Sequence, residues 1–451
     1  TLKPWFLASS LLAVLPLPAL AEQIQPVKLE SDTLEVRLDP NFPRILDYRL
    51  KSDGSLLETR AGAGAAIELN GQAESCQVST KIGTSDAIYH LTFPTAKLEI
   101  DFKFSVGQDQ VDIQMTKVQE NGDVKLKTLA FPNTPLLSLD TTQPDAAMAA
   151  VHAEHYNVWR ETIAPLSAAK PGADTSNYCF LSTGKLAMGV VNFQIDDCNR
   201  VRWQISEKAG VKTLQAQNPA WQYREIDGEI LPLPRVTVVV TGDKNGDGQA
   251  NWQDAALVCR RILPKPCGSE FVPKMPADQI AMDFASLAQQ PFLRILDEIK
   301  TAYLLTDGLG HSVVVKGFSA EGHDSANTDY GGHYNERAGG LKDLNFLLAH
   351  AKAYNARVGV HINCTEVYPE AQRYTPEILE RDKNGNPKGG WAWLDQSHLI
   401  DKRKDLLTGH LFASLEQMRR ELPQLDLVYV DVYGDHGWNA WKLATKLNEL
   451  K

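Results

Sequence analysis

Between residues 22 and about 242, apolar side chains recur at every second position. Leu98, Ile100, Phe102, Phe104 and Val106 alternate with Glu99, Asp101, Lys103 and Ser105, which predicts a strand with one buried and one wet face. Leu34, Val36 and Leu38 repeat the alternation, and the nearly unbroken apolar run 236–240 predicts a strand covered on both faces. Turn signals such as Asp53-Gly54 and Asn121-Gly122 separate these runs. Many short strands with few helical patterns predict a β-sandwich over 22–242. After about residue 275 the rhythm becomes strand, loop, helix. Strands are expected at 280–284, 311–318, 358–362 and 425–432, and helices at 291–303, at 341–355 and from Trp438 onward. Leu344, Leu347, Leu348 and Ala351 share one face of the middle helix. This alternation predicts a parallel sheet with helices outside it. About four βα units are present where a closed barrel needs eight, so 275–451 is read as the first half of a (β/α)8 barrel. An open doubly wound sheet is the alternative, but no Gly-rich phosphate turn follows any of the strands.

Composition narrows the class. The chain has 451 residues, 43% apolar and 23% charged, which fits a folded protein and excludes collagen, coiled coil and disordered tail. Its 46 basic and 56 acidic side chains leave a net charge of −10, a surface that repels nucleic-acid phosphates and anionic membranes. Lys3, the apolar run 5–20 and the small residues of Ala19-Leu20-Ala21 predict a secretory leader over 1–21, cleaved after Ala21. The run is too short for a membrane span, so a secreted, periplasmic or cell-surface protein is expected. The chain starts at Thr1 without a methionine and stops at Lys451 inside a helical pattern; we read it as a fragment. Export permits disulfides among six cysteines, with Cys259–Cys267 and Cys179–Cys198 the pairs close in sequence.

Between the two regions, 243–274 forms a loop and linker. Asp243, Asn245, Asp247, Gly248, Gln249 and Asp254 occupy the key positions of the twelve-residue EF-hand template. A hard cation needs six or more converging oxygens, and this spacing wraps them around one point. Structural calcium held by Asp243, Asn245, Asp247, Gln249 and Asp254 is therefore expected, with Asp254 standing where the template has Glu.

Polar side chains gather at or after the carboxyl ends of the later strands, which form the active face of βα barrels. Asp431 interrupts the apolar run Leu427-Val-Tyr-Val-Asp-Val, where an unpaired charge costs several kcal/mol. A carboxylate there suits a glycosidase nucleophile or a structural hydrogen bond. Trp391 and Trp393 sit two apart in a Gly-rich loop, just after Gly389-Gly390 and close to Asp395 and Gln396; flat indoles stack on sugar faces, and the polar pair suits hydroxyl groups. His323 with Asp324, and His361 with Asn363 and Glu366, complete the candidate substrate-binding set. A histidine–carboxylate metal site is the weaker reading of those two groups, since no H-E-x-x-H pairing accompanies them. Asn363-Cys364-Thr365 is also a formal glycosylation sequon, in a position that argues against its use.

Taken in series, G-H-D-S-A-N-x-D-Y (322–330), G-V-H-I-N-x-T-E-x-Y-P-E-A (359–371), G-W-x-W-L-D-Q-S (390–397) and Y-V-D-V-Y-G (429–434) resemble the endo-α-N-acetylgalactosaminidases of glycoside hydrolase family 101. The calcium-type loop resembles the family too, and the β-rich region does so more loosely. The resemblance implies a galactose-mutarotase-like sandwich joined to a (β/α)8 barrel. It also implies release of Galβ1-3GalNAc from Ser or Thr of mucin-type glycoproteins with retained configuration. By resemblance Asp431 is the nucleophile, His323, Asp324 and His361 contact the sugar, Trp391 and Trp393 form an aromatic lid, and the 243–254 loop binds calcium. The family's acid/base is a Glu on the strand after the nucleophile. No carboxylate of this chain matches it, so the 451 residues alone are expected to be inactive. A different retaining α-glycosidase, such as an α-galactosidase, and a non-catalytic secreted carbohydrate-binding protein are the competing readings.

Overall fold

The computed structural model describes residues 25–60, 66–153, 159–195, 200–217, 220–285, 287–393 and 395–450. The expected leader and Cys198 lie outside them. The period-two region folds as antiparallel sheet. Leu98–Gly107 lies between Asp86–Phe93 and Gln110–Glu120 in a nine-stranded sheet, and its even-numbered side chains all point into the core. Three four-stranded antiparallel sheets accompany it, and one large apolar core draws on both the nine-stranded sheet and these smaller ones. Tyr48 ties two of the layers, donating its buried hydroxyl to the Leu136 carbonyl at 2.8 Å.

Arg235–Thr241 shows why 236–240 lacks alternation. One face meets the sandwich core; helix α1 (Trp252–Ile262) packs on the other, setting Ala255, Val258 and Cys259 against Ala149, Phe180 and Val239. The Cys259–Cys267 pair, plausible from its closeness in sequence, is not bridged. The Cys259 sulfur faces the sheet, where a Cβ added at Gly189 would lie 3.6 Å from it, and Cys267 is exposed; both are free thiols. Cys179 is a buried free thiol.

The second region is a four-stranded, wholly parallel sheet. Its strands are Ala277–Met282, His311–Lys316, Ala356–Asn363 and Leu427–Asp431, hydrogen-bonded in that order. Helices α2 (Phe292–Leu305) and α3 (Gly340–Ala351) cover one face. Phe292, Ile295, Leu344, Leu347 and Leu348 pack there with Val313, Val315, Val358, Val360 and Ile362. The opposite face is more open, with Ile280 61% and Tyr429 48% exposed. The described residues thus give four βα units and leave the sheet open at both edges. Two helices and a small sheet were not anticipated: α4 (Lys402–Thr408), α5 (His410–Glu421), and the antiparallel strands Glu366–Val367, Gln396–Leu399 and Gly389–Ala392. Helix α6 (Gly437–Glu449) begins beside the expected Trp438. Among the described residues no helix is long and apolar enough to cross a membrane.

The two regions grip each other through apolar and ionic contacts. Leu231, from a turn of the sandwich, joins the core of the parallel sheet. Arg403 of α4 reaches Asp227 at 2.7 Å and Glu225 at 3.2 Å, while Lys442 of α6 pairs with Glu229. Both cations also lie over the Trp438 ring.

Phe102 is fully buried, with Phe131 and Trp221 edge-on at 5.5 and 5.1 Å. Phe102→Ala is expected to cost about 3–5 kcal/mol, read as a lowered thermal midpoint. An unchanged midpoint would contradict this packing.

Candidate active site

The register of the parallel strands assembles the site. Val315 pairs with Val360, His361 with Tyr429 and Asn363 with Asp431. Side chains alternate between faces, so Lys316 stands level with His361, and Asp431 one pleat further along the next strand. All three lie on the face away from the helices, at the carboxyl edge. Gly317 makes the turn after Lys316 (φ +88°), where a Cβ would meet the Asp283 carbonyl at 2.0 Å.

Asp431 is 28% exposed at its side chain. Its Oδ2 accepts from His361 Nε2 at 2.9 Å and from Lys316 Nζ at 3.2 Å; its Oδ1 accepts the Val432 N–H at 3.0 Å. Burial pulls its pKa up, but the hydrogen bonds from His361 and Lys316 outweigh this and hold it below the ordinary Asp range. It is therefore ionised at neutral pH. An ionised carboxylate only accepts, so the His361 proton sits on Nε2. His361 is 4% exposed, and burial keeps it neutral despite the Asp431 bond. His323, whose ring centroid lies 4.9 Å from that of His361, is pushed down to about 4 by burial, then by Lys316 and His361.

An open cleft of about 610 Å³ lies over this edge, lined by His323, Asp324, Asn363, Glu366, Trp391 and Asp431 among others. Asp324 is pushed up to about 6, first by burial and then by the Glu366 charge. Glu366 is 6% exposed and fully engaged. Oε1 accepts from Asn363 Nδ2 at 3.1 Å; Oε2 accepts the Trp391 N–H at 2.6 Å and the Ser397 hydroxyl at 2.8 Å. This carboxylate fastens the Trp391 strand to the sheet edge, and a Cβ at Gly390 would lie 2.4 Å from its Oε2. Asn363 is buried, with its amide spent on Glu366 and Thr365, a poor acceptor for a glycan.

The two indoles differ in setting. Trp391 is 57% exposed and lines the cleft; Trp393 is 53% exposed and packs 5.5 Å from Phe284, whose ring stands 5.7 Å from His323. Asp395 is exposed and accepts the N–H of Gln396 at 2.7 Å; it is not among the cleft-lining residues. Lys316 was missed by the sequence reading. Its one signal was a charge closing the strand His-Ser-Val-Val-Val-Lys. Asp283 was missed too: it follows the first strand, 1% exposed, accepts the Gln290 N–H at 2.6 Å and has its pKa raised by burial.

The 243–254 loop stands apart from the cleft. Asp243 accepts the N–H groups of Gly246 and Gly248 at 2.6 and 2.8 Å. Asp254, fully buried, accepts those of Lys244, Asn245 and Asn251 at 2.7, 3.0 and 2.8 Å. It thereby draws the loop onto the start of α1. Asn245, Asp247 and Gln249 are exposed. Among the described residues no three His, Cys, Asp or Glu side chains converge as a metal site, so a cation in this loop would also need amide and carbonyl oxygens.

Both regions of the chain match known protein families. Residues 253–451 match the family model described as Endo-alpha-N-acetylgalactosaminidase, and residues 29–252 match the Galactose mutarotase-like fold domain. A protein of Renibacterium salmoninarum, provisionally named an endo-alpha-N-acetylgalactosaminidase, is 34% identical over 457 residues, covering 96% of this chain. The chain spans only 30% of that relative's length. Among solved structures, the galactosidase domain of an alpha-galactosidase-sucrose kinase aligns over 94% of this chain and 69% of its own. The identity is 14% and the TM-score 0.59. An alpha-galactosidase of Geobacillus stearothermophilus aligns over 95% of this chain and 69% of its own, at 11% identity and TM-score 0.60. These two likenesses concern the fold.

A carboxyl whose folded pKa is raised lowers stability as pH climbs from its unfolded value to its folded one. Replacing Asp324 with Asn should therefore help more at pH 8 than at pH 4. The variant's stability relative to wild type should rise by roughly 1–3 kcal/mol across that range, measured by denaturant unfolding at several pH values. A pH-independent difference would contradict the raised Asp324 pKa.

Proposed function

The chain belongs to the endo-α-N-acetylgalactosaminidase family through residues 253–451, and we propose on that footing that the cleft is a retaining glycosidase site for Galβ1-3GalNAc linked to Ser or Thr. The observation that carries this is an ionised carboxylate, Asp431, hydrogen-bonded by His361 and Lys316 in a cleft that also holds the exposed Trp391 indole. In the proposed reaction Asp431 attacks C1 of GalNAc, and the bond to the Ser or Thr oxygen breaks as a carboxylic acid group protonates it. Water then releases the disaccharide from the glycosyl-Asp ester. Such a mechanism needs its second carboxyl about 5–5.5 Å from the nucleophile. Both Glu366 oxygens are occupied, so Glu366 is assigned to holding Trp391 rather than to proton transfer. Trp391 offers an apolar face to the sugar ring; His323 and Asp324 supply polar groups for its hydroxyls.

Mucin-type O-glycoproteins are the proposed substrates, and export through the 1–21 leader would bring the protein to them. Calcium is proposed at Asp243, Asn245, Asp247, Gln249 and Asp254, as a structural joint between sandwich and α1. Chelation should lower the thermal midpoint and added calcium restore it; indifference to both would remove the cation.

Turnover tests the reaction. The full-length protein should release the disaccharide from a core-1 α-glycoside with its anomeric configuration kept. Asp431→Asn should lower kcat by at least about 10³-fold. Cleavage of simple α-galactosides alone would favour an α-galactosidase, and sugar binding without turnover would favour a lectin.

A further inference from the structure

Lys316 reaches Asp431 from two strands away. It closes the His311–Lys316 strand, level with His361 on the strand between, and its ammonium stops 3.2 Å from Asp431 Oδ2. The side chain is only 14% exposed, and an ammonium this sheltered requires a counter-charge. Asp431 supplies it. Because His361 donates to the same oxygen at 2.9 Å, Oδ2 carries two donors. Oδ1 carries one, the N–H of Val432. The two carboxylate oxygens are therefore unequal before any substrate arrives. The Lys316 charge also reaches the other titratable groups of the cleft, opposing protonation of His323 and His361 and favouring ionisation of Asp324.

We propose that Lys316 is a positioning residue for Asp431: with His361 it clamps Oδ2, fixes the carboxylate plane, and leaves Oδ1 as the oxygen that bonds to C1. This rests on the reading of Asp431 as nucleophile. In the attack, an Oδ1 lone pair forms the new bond to C1, and the electrons of the broken C1–O bond leave on the Ser or Thr oxygen. That oxygen takes its proton from the carboxylic acid group of the proposed reaction. Throughout, Oδ2 keeps its two donors, so the charge left on the carboxylate as the ester forms and later breaks is met by fixed partners.

Two readouts separate this proposal from the functional one. The Asp431 carboxyl can be titrated by 13C NMR in Asp-labelled protein, its resonance identified by its loss in Asp431→Asn. Lys316→Met should move the midpoint up by about one pH unit or more, and Lys316→Arg should return most of that shift; Lys316→Gln replaces Met if the latter does not fold. An unchanged Asp431 midpoint in a folded Lys316→Met or Lys316→Gln protein overturns the clamp, whatever the turnover. In the turnover arm, Lys316→Met should reduce kcat by roughly 10–100-fold with KM altered much less, and move the acid limb of the rate profile upward. An Asp431→Asn variant that retained full turnover would defeat the nucleophile while leaving the titration result to judge the clamp.

Discussion

The cleft depends on one constraint: a carboxylate half-withdrawn from water at the edge of a parallel sheet must be met by positive or donating groups. Asp431 satisfies it with three donors from three places, the Lys316 ammonium, the His361 Nε2–H and the Val432 N–H. Burial alone would drive the group toward its neutral form. The donors reverse that, and their stabilisation of the charged state fades only as pH falls through the depressed Asp431 pKa. Because each donor is fixed to the sheet or its edge, the charge is held in place as well as kept.

A second buried carboxylate shapes another part of the cleft wall. Glu366 takes one donor from the strand that carries His361 and two from the antiparallel strands bearing Trp391 and Ser397. It thereby sets how far the exposed indole stands from the sheet edge. Its charge is also felt by Asp324, whose proton is retained to about pH 6. The cleft thus holds carboxyl groups tuned in opposite directions by burial and by what surrounds them, a pattern expected where one group is to be a lasting anion and another a hydrogen-bond donor or acceptor.

Much of this was legible in the sequence because periodicity follows burial. The even-odd pattern of 98–106 and the four βα units were readable, since each strand or helix face there meets a single apolar layer. Asp431 was readable because a charge in an apolar run demands an explanation. Lys316 was not, because its meaning lies in a neighbour 115 residues away, set by register rather than by spacing. Helices α4 and α5, parted by Gly409 at φ 73°, were hidden for a related reason. Their buried faces are mixed, with Asp405 and Ser414 inside among the leucines. The pairing of Cys259 with Cys267 failed because nearness in sequence carries no information on which way a helix face turns. Trp391 and Trp393, two apart and identical in type, ended in different surroundings because the strand Gly389–Ala392 includes the first and stops before the second.

The account stands or falls on whether Asp431 bonds to sugar. Its most direct test is to treat the full-length protein with a fluorinated, activated GalNAc-type glycoside that forms a slow-leaving ester, then map the modified peptide by mass spectrometry. The account predicts one added sugar mass on the Asp431 side chain. Modification at another carboxylate, or turnover with no covalent species on any carboxylate, would contradict it.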